Sequence, residues 1–339
     1  MICTETQHFN LNRILLLIIG LWPYQRSKFS HLRFICFLSI LATIIFLQFT
    51  LFVSPKCTFN FIIKVVCTLS IFIFFIIKYI AFAININDMK DLLMQLQYIF
   101  NELKDESENA IIKKYGQYAE RYTITLVALG FCSMCILTVV QFLSTVLDIV
   151  LSKNVSQVHH VLIVTEYHID QEKYFYLIVL YIYAAFYIGV IALVSTGSVL
   201  VAYLQYICGL FRISSYRIER VMEFNMLHNI TLNENFIFKS IICSVDIHRQ
   251  AIRLCKLLVY KFETMLFCLI IIGVICLSLN LFRIFQIVSS EENVKEIFMP
   301  FTSSICIIVY MFTANYIGQD LINHNNHIYI TCVRYLILT

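Results

Sequence analysis

Six stretches of this chain are too apolar and too long for the core of a soluble domain: Phe34–Val53, Phe61–Ala83, Tyr122–Val146, Tyr174–Tyr206, Phe262–Val288 and Phe298–Gly318. A helix of about 20 residues covers the roughly 30 Å of hydrocarbon in a bilayer, and each stretch meets that length. The backbone must satisfy its own hydrogen bonds in lipid, so such runs form helices there. The sequence therefore predicts an all-α, polytopic membrane protein with six transmembrane helices. The stretch Tyr174–Tyr206 exceeds the needed length and must tilt or protrude into water.

Composition agrees. Hydrophobic residues make up 60% of the 339 positions and charged residues 14%, against about 25% charged in an ordinary soluble domain. The net charge of +4 is dispersed, so nucleic acid is not an expected partner. The thirteen cysteines lie mostly inside apolar runs and read as buried or helix-facing thiols, Cys132 and Cys135 included.

Charge bias orients the chain. Arg13, Arg26, Lys28 and Arg33 precede the first run; Lys90, Lys104, Lys113, Lys114 and Arg121 follow the second. Arg212, Arg217, Arg220, Lys239, Arg249, Arg253, Lys256 and Lys261 follow the fourth. The opposite connectors hold only Lys56, Lys153, Lys173 and Lys295. Basic residues stay on the cytosolic side, so the N-terminus is cytosolic. The organisation that follows is a cytosolic arm over 1–33, transmembrane helices over 34–206, a cytosolic connector helix over 207–261, two further transmembrane helices over 262–318 and a cytosolic tail over 319–339. Within the arm, Ile14–Trp22 is too short to span and reads as an interfacial or re-entrant helix stopped by Pro23. Asn154-Val155-Ser156 is a glycosylation sequon on the outer side, which makes Asn154 the expected acceptor.

Two cytosolic segments carry helical apolar stripes. One runs through Met89, Leu92, Leu93, Leu96, Ile99, Phe100 and Leu103, the other through Ile237, Ile241, Val245, Ile252, Cys255 and Leu258. Each stripe needs a partner, either the same chain's long helices or a second subunit.

No glycine-rich phosphate loop, HExxH or nucleophile elbow is present, and neither catalysis nor a cofactor is expected. His159, His160, Glu166 and His168 read as solvated loop residues rather than a metal site. Lys78, near the inner end of the second run, and Lys64, near its outer end, are expected to snorkel to the interfaces. Aromatic and hydroxyl side chains gather toward the outer half of the runs. Phe72, Phe75, Gln141, Phe142, Tyr183, Phe186, Tyr187, Phe301 and Thr302 form the candidate pocket, and its character suits a small volatile or lipophilic ligand.

Several segments resemble the insect odorant receptors. Gly20-Leu21-Trp22-Pro23 is similar to the family's opening, and Glu166-Tyr167-His168-Ile169-Asp170 to the approach to its fourth helix. His248, Ala251 and Ile252 resemble the lead into its fifth, and Asn315-Tyr316-Ile317-Gly318-Gln319-Asp320-Leu321 the end of its sixth. The style is closest to receptors of ants, bees and wasps. The resemblance implies an odorant-binding subunit of a ligand-gated cation channel. It implies a hetero-oligomer, a tetramer, with the odorant receptor co-receptor in the plasma membrane of sensory dendrites. The family pattern continues to a seventh helix after Tyr335, so the resemblance implies a chain truncated before it. A gustatory receptor, a G-protein-coupled receptor and a transporter are the alternatives. The Trp-Pro opening, the cytosolic N-terminus and the unbroken spans weigh against them in turn.

Overall fold

The structure is a computed structural model, and it describes residues 9–25, 27–53, 58–151, 174–228, 234–289 and 294–338. Every regular element among these residues is helical: α1 (Asn10–Ile18), α2 (Lys28–Thr50), α3 (Phe59–Ile84), α4 (Ile86–Glu102), α5 (Glu106–Leu151), α6 (Phe175–His228), α7 (Glu234–Ser289) and α8 (Phe298–Leu338), with 3₁₀ turns at Leu51–Val53 and Val294–Ile297. Six of the helices, α2, α3, α5, α6, α7 and α8, are long and apolar enough to cross a membrane. The six expected spans are these six helices. Asn154 and the outer-loop histidines lie outside the described residues.

The helices run much farther than the membrane needs. The 54 residues of α6 extend roughly 80 Å at 1.5 Å per residue. The segments at 106–121, 207–228, 234–261 and 319–338 are helical continuations of α5, α6, α7 and α8. Nothing in their sequence stops a helix: they contain no proline and are rich in Leu, Ile, Lys, Arg and Glu. On the expected cytosolic side the described residues therefore continue as helices.

α6 is the central element and touches α1, α2, α3, α5, α7 and α8. Its residues Val199, Ala202, Tyr203, Tyr206, Ile207, Cys208, Leu210, Phe211 and Ile213 are buried on all sides, the mark of a helix enclosed by others. The stripe expected on the first cytosolic segment is the buried face of α4: Met89, Leu92, Leu93, Leu96, Ile99 and Phe100. On α7 the buried line is Ser244, Ile247, Ala251, Leu254 and Leu258, while Val245 is 44% exposed. The real contact face of α7 thus uses small residues that let α6 approach, and the expected stripe was set partly to one side of it.

The arm also differs from expectation. α1 ends at Ile18, before Pro23, in a turn at Gly20 with φ of 76°. A side chain at Gly20 would press on the Ser30 carbonyl at 2.5 Å; the Ser30 hydroxyl donates to the Gly20 carbonyl at 2.8 Å. Leu16, Ile19, Leu21 and Trp22 are buried, and the Tyr79 hydroxyl of α3 donates to the Ile19 carbonyl at 2.7 Å. α1 is packed against α5 and α6.

Among the described residues, ion pairs on the expected cytosolic side join α5 to α6 and α4 to α7, and one more lies within α6. Arg217 on α6 grips Glu108 on α5 through Nε and Nη2, at 2.5 and 2.9 Å. Arg220 pairs with Asp105, Lys261 on α7 with Asp88 on α4 at 2.9 Å, and Arg212 with Glu219 at 3.0 Å. The Ser107 amide, with Arg220 beside it, holds the Asp105 carboxyl below the usual carboxylate range.

Candidate ligand-binding site

Three phenylalanines meet at mid-depth between α3 and α6. Phe72, Phe75 and Phe186 are each buried. Their rings contact pairwise edge to face, with centroids 6.1, 5.8 and 5.6 Å apart and interplanar angles of 85°, 88° and 84°. Positive ring edges against negative faces favour this geometry by about 0.5–1.5 kcal/mol per pair beyond area burial. The trio fits because α6 carries Gly189 opposite Phe75; a Cβ there would overlap the Phe75 ring.

On the outward side of the trio, α6 reaches across to α5. The Tyr183 hydroxyl donates to the Leu137 carbonyl at 3.2 Å, and the Tyr187 hydroxyl lies 3.0 Å from Thr138 Oγ1. Thr43 on α2 is hydrogen-bonded to the Tyr181 hydroxyl. Gln141 is buried on the same stretch of α5, and Thr302 is 9% exposed on α8. Of the nine residues read from the sequence, the structure packs Phe72, Phe75 and Phe186 together and sets Tyr183 and Tyr187 beside them. Phe142 and Phe301 are different: they are 55% and 53% exposed and face away from the bundle.

Lys78 lies one helical turn inward of Phe75. It does not snorkel. It is 1% exposed; its ammonium donates to the Tyr310 hydroxyl at 2.8 Å and sits 4.4 Å from that ring's centroid. Among the described residues no carboxylate pairs with it. Gly197 on α6 makes the space, since a Cβ there would stand 3.3 Å from the ammonium nitrogen. Hydroxyl and π-face together stand in for a counter-ion. The Tyr310 ring is itself fixed edge-on by Phe74 at 5.4 Å.

At the outer end a charged network joins α3, α7 and the turn before α8. Glu296 accepts from Lys64 at 2.8 Å and from Arg283 at 2.6 Å. Arg283, 5% exposed, also donates to Gln286 at 2.8 Å, and Gln286 donates to Asn60 at 2.5 Å. Lys64 therefore finds its partner inside the protein. Beneath the network is a cavity of about 20 Å³ lined by Lys64, Cys67, Thr68, Asn280, Arg283, Glu296, Met299 and Pro300, large enough for about one water.

A buried aromatic cluster with hydroxyls at its edge, enclosed by membrane-length helices, is chemistry for recognising small lipophilic molecules. The family model described as 7tm Odorant receptor matches residues 58–331. The chain belongs to the odorant receptor family.

Solved structures show the same odorant receptor fold. The insect olfactory receptor OR5 from Machilis hrabei superposes with a TM-score of 0.75 at 14% identity, over 97% of this chain and 84% of that one. The same receptor in complex with eugenol gives 0.73 at 14% identity, over 96% of this chain and 87% of that one. No curated protein sequence matches. At such identity the likeness is one of fold.

Three features of this odorant receptor were not read from the sequence: the Lys78–Tyr310 contact, the Glu296 network, and the pairing of Gly189 and Gly197 with α3. A signal existed for the second. Lys64, Arg283 and Glu296 are opposite charges at the same end of three spans, where isolated charge is costly.

Proposed function

We propose that this odorant receptor is the odorant-binding subunit of a ligand-gated cation channel that works with a co-receptor in the plasma membrane of sensory dendrites. The observation that carries the reading is the Phe72–Phe75–Phe186 cluster, buried at mid-depth in a fold shared with a receptor solved in complex with eugenol. The pocket is built from Phe72, Phe75, Gln141, Tyr183, Phe186, Tyr187 and Thr302. Phe142 and Phe301, exposed on outward faces, are left out of it. An odorant inserts among the three rings and replaces their mutual contacts with its own, while the Tyr183 and Tyr187 hydroxyls meet its polar group. Its tighter binding to the conformation with separated rings shifts the closed–open equilibrium.

Assembly with a second subunit is supported by apolar side chains left open below the membrane. Phe238, Ile242 and Val245 on α7 and Tyr329 and Ile330 on α8 are 42–73% exposed on helical segments that extend into water. Exposed apolar faces of this kind mark contact surfaces. A subunit contact there and the intrachain packing of α4 and α7 coexist, on different faces of the helices.

The test is heterologous co-expression with the co-receptor, recording current against a panel of small aromatic and aliphatic volatiles. Odorant-evoked cation current that is lost in cells lacking the co-receptor is expected. Surface expression without current for any ligand would overturn the channel reading. An N-terminal epitope accessible on intact cells would overturn the orientation.

A further inference from the structure

Below the membrane, the structure brings a thiol, a carboxylate and an imidazole to one point. Cys208 comes from α6, and Asp320 and His324 come from one face of α8, one turn apart. One ligand atom from each lies within 4.8 Å of the others. Cys208 is fully buried, and Asp320 and His324 are half-buried toward the cytosolic solvent. This cluster plays no part in the odorant site, which lies in the membrane.

We propose that Cys208, Asp320 and His324 form a zinc site that clips α6 to α8 in the cytosolic bundle. Sulfur, nitrogen and oxygen in one set suit zinc, which accepts all three in tetrahedral array. The ligand atoms of such a site stand about 3.5 Å apart at zinc–ligand lengths near 2.0–2.3 Å. Small rotations of three side chains on fixed helices close the remaining distance.

The neighbours hold Asp320 in place, while His324 must change its partners on binding. Gln205 donates to Asp320 Oδ2 at 3.2 Å, leaving Oδ1 turned toward His324 Nδ1 at 3.3 Å. The Tyr115 hydroxyl of α5 lies 2.6 Å from His324 Nε2, with the two rings edge to face at 5.5 Å. In the loaded site His324 is neutral, with its proton on Nε2 and donated to Tyr115, and Nδ1 is the ligand. Metal-bound histidines usually donate their second nitrogen to an outer group in this way. In this structure Nδ1 donates to the Asp320 carbonyl at 2.8 Å; on binding the ring turns off this carbonyl, the proton passes from Nδ1 to Nε2, and the Tyr115 hydroxyl changes from donor to acceptor. One proton leaves Cys208, whose thiolate becomes the sulfur ligand, and Asp320 binds as the carboxylate. Water takes the fourth position from the solvent side. Thiolate and carboxylate balance the charge of the ion.

The experiment uses the purified full-length receptor in detergent. It is equilibrated with zinc, passed into metal-free buffer and analysed for bound metal. About one zinc per chain is expected, falling several-fold in Cys208→Ser and His324→Gln and unchanged in Cys243→Ser, since Cys243 is exposed elsewhere on α7. Added zinc is expected to raise the melting midpoint of the wild type but not of Cys208→Ser. If the Cys208 variant fails to fold, cobalt added to the wild type still decides. A thiolate-to-cobalt charge-transfer band with tetrahedral visible absorption supports the site. Wild type without retained zinc, equal zinc in wild type and variants, or cobalt bound without the thiolate band would each overturn it.

Discussion

Ser214 of α6 and Ser244 of α7 each donate a hydroxyl to the other's backbone carbonyl, at 2.9 and 2.7 Å. Both are fully buried, so the two helices pack backbone against backbone where serines replace bulk. Ser244→Ala removes one hydrogen bond and is expected to lower stability by about 1 kcal/mol. Ser244→Leu pushes α7 off α6 and costs at least roughly 1–3 kcal/mol through overpacking. Melting midpoints of the two variants in detergent order them. A leucine variant as stable as the alanine variant would contradict the close approach.

The trio of rings makes a size prediction. Phe75→Ala removes two ring contacts and widens the pocket, so larger odorants gain potency relative to small ones. Gly189→Ala acts in the opposite direction by driving the Phe75 ring out of place. With surface expression matched, each variant is expected to change the half-maximal odorant concentration by about tenfold, which corresponds to 1.4 kcal/mol. Unchanged potencies in both would remove the trio from the site.

Phe142→Ala and Phe301→Ala serve as the contrasting pair. Both side chains are exposed on outward faces, so dose–response curves are expected to stay within about twofold of wild type, well under 1 kcal/mol. A large shift in either would return that residue to the pocket.

Lys78 offers a test of the buried cation. Lys78→Met keeps the length and removes the charge. Burying an ammonium away from any carboxylate is costly, and methionine fills a similar volume without that cost, so the melting midpoint is expected to hold or rise. Lys78→Arg is expected to be worse, since the ammonium already stands close to Gly197 and a larger planar head has no room. An arginine variant that melts with wild type, beside a collapsed methionine variant, would reverse this account.

Glu296→Gln leaves Arg283 buried with its carboxylate partner gone. Half of the pair remains partly open to solvent, with 30% of the Glu296 side chain exposed. The expected loss is therefore about 1–3 kcal/mol, below the 3–5 typical of a fully buried pair. Adding Arg283→Met to the variant is expected to restore part of the loss. A double variant no better than the single one would show that the pair is not the source.

The sequence was a good guide to the spans and a poor one to their faces. Length and hydropathy suffice to find α2 and α3, because the bilayer sets both. Burial is another matter. Lipid is as apolar as a protein interior, so Phe142 and Phe301 on the outside look like Phe72 and Phe186 on the inside. Lys78 was misplaced for a related reason: its partner, Tyr310, lies 232 positions away. The offset on α7 arose because Ser244 and Ala251 count as weak hydrophobes in a stripe, although small size is what the contact with α6 needs. The unbroken length of α5, α6 and α7 was legible in the missing prolines, and the one proline of α8, Pro300, sits in its first turn, where it costs no helical hydrogen bond. The arm over 10–23 was not, because only the tertiary contacts of Ile19 and Ser30 reveal that it is seated.

α6 holds Tyr183 and Phe186 near one end and Ser214 and Arg217 toward the other, and it is unbroken between them. It behaves as a stiff beam. For a rod of roughly 80 Å, a pivot of about 3° at its midpoint carries each tip sideways by about 2 Å. The odorant end and the cytosolic end cannot tilt independently, so a sideways shift at one is matched by a shift of the same size and opposite direction at the other.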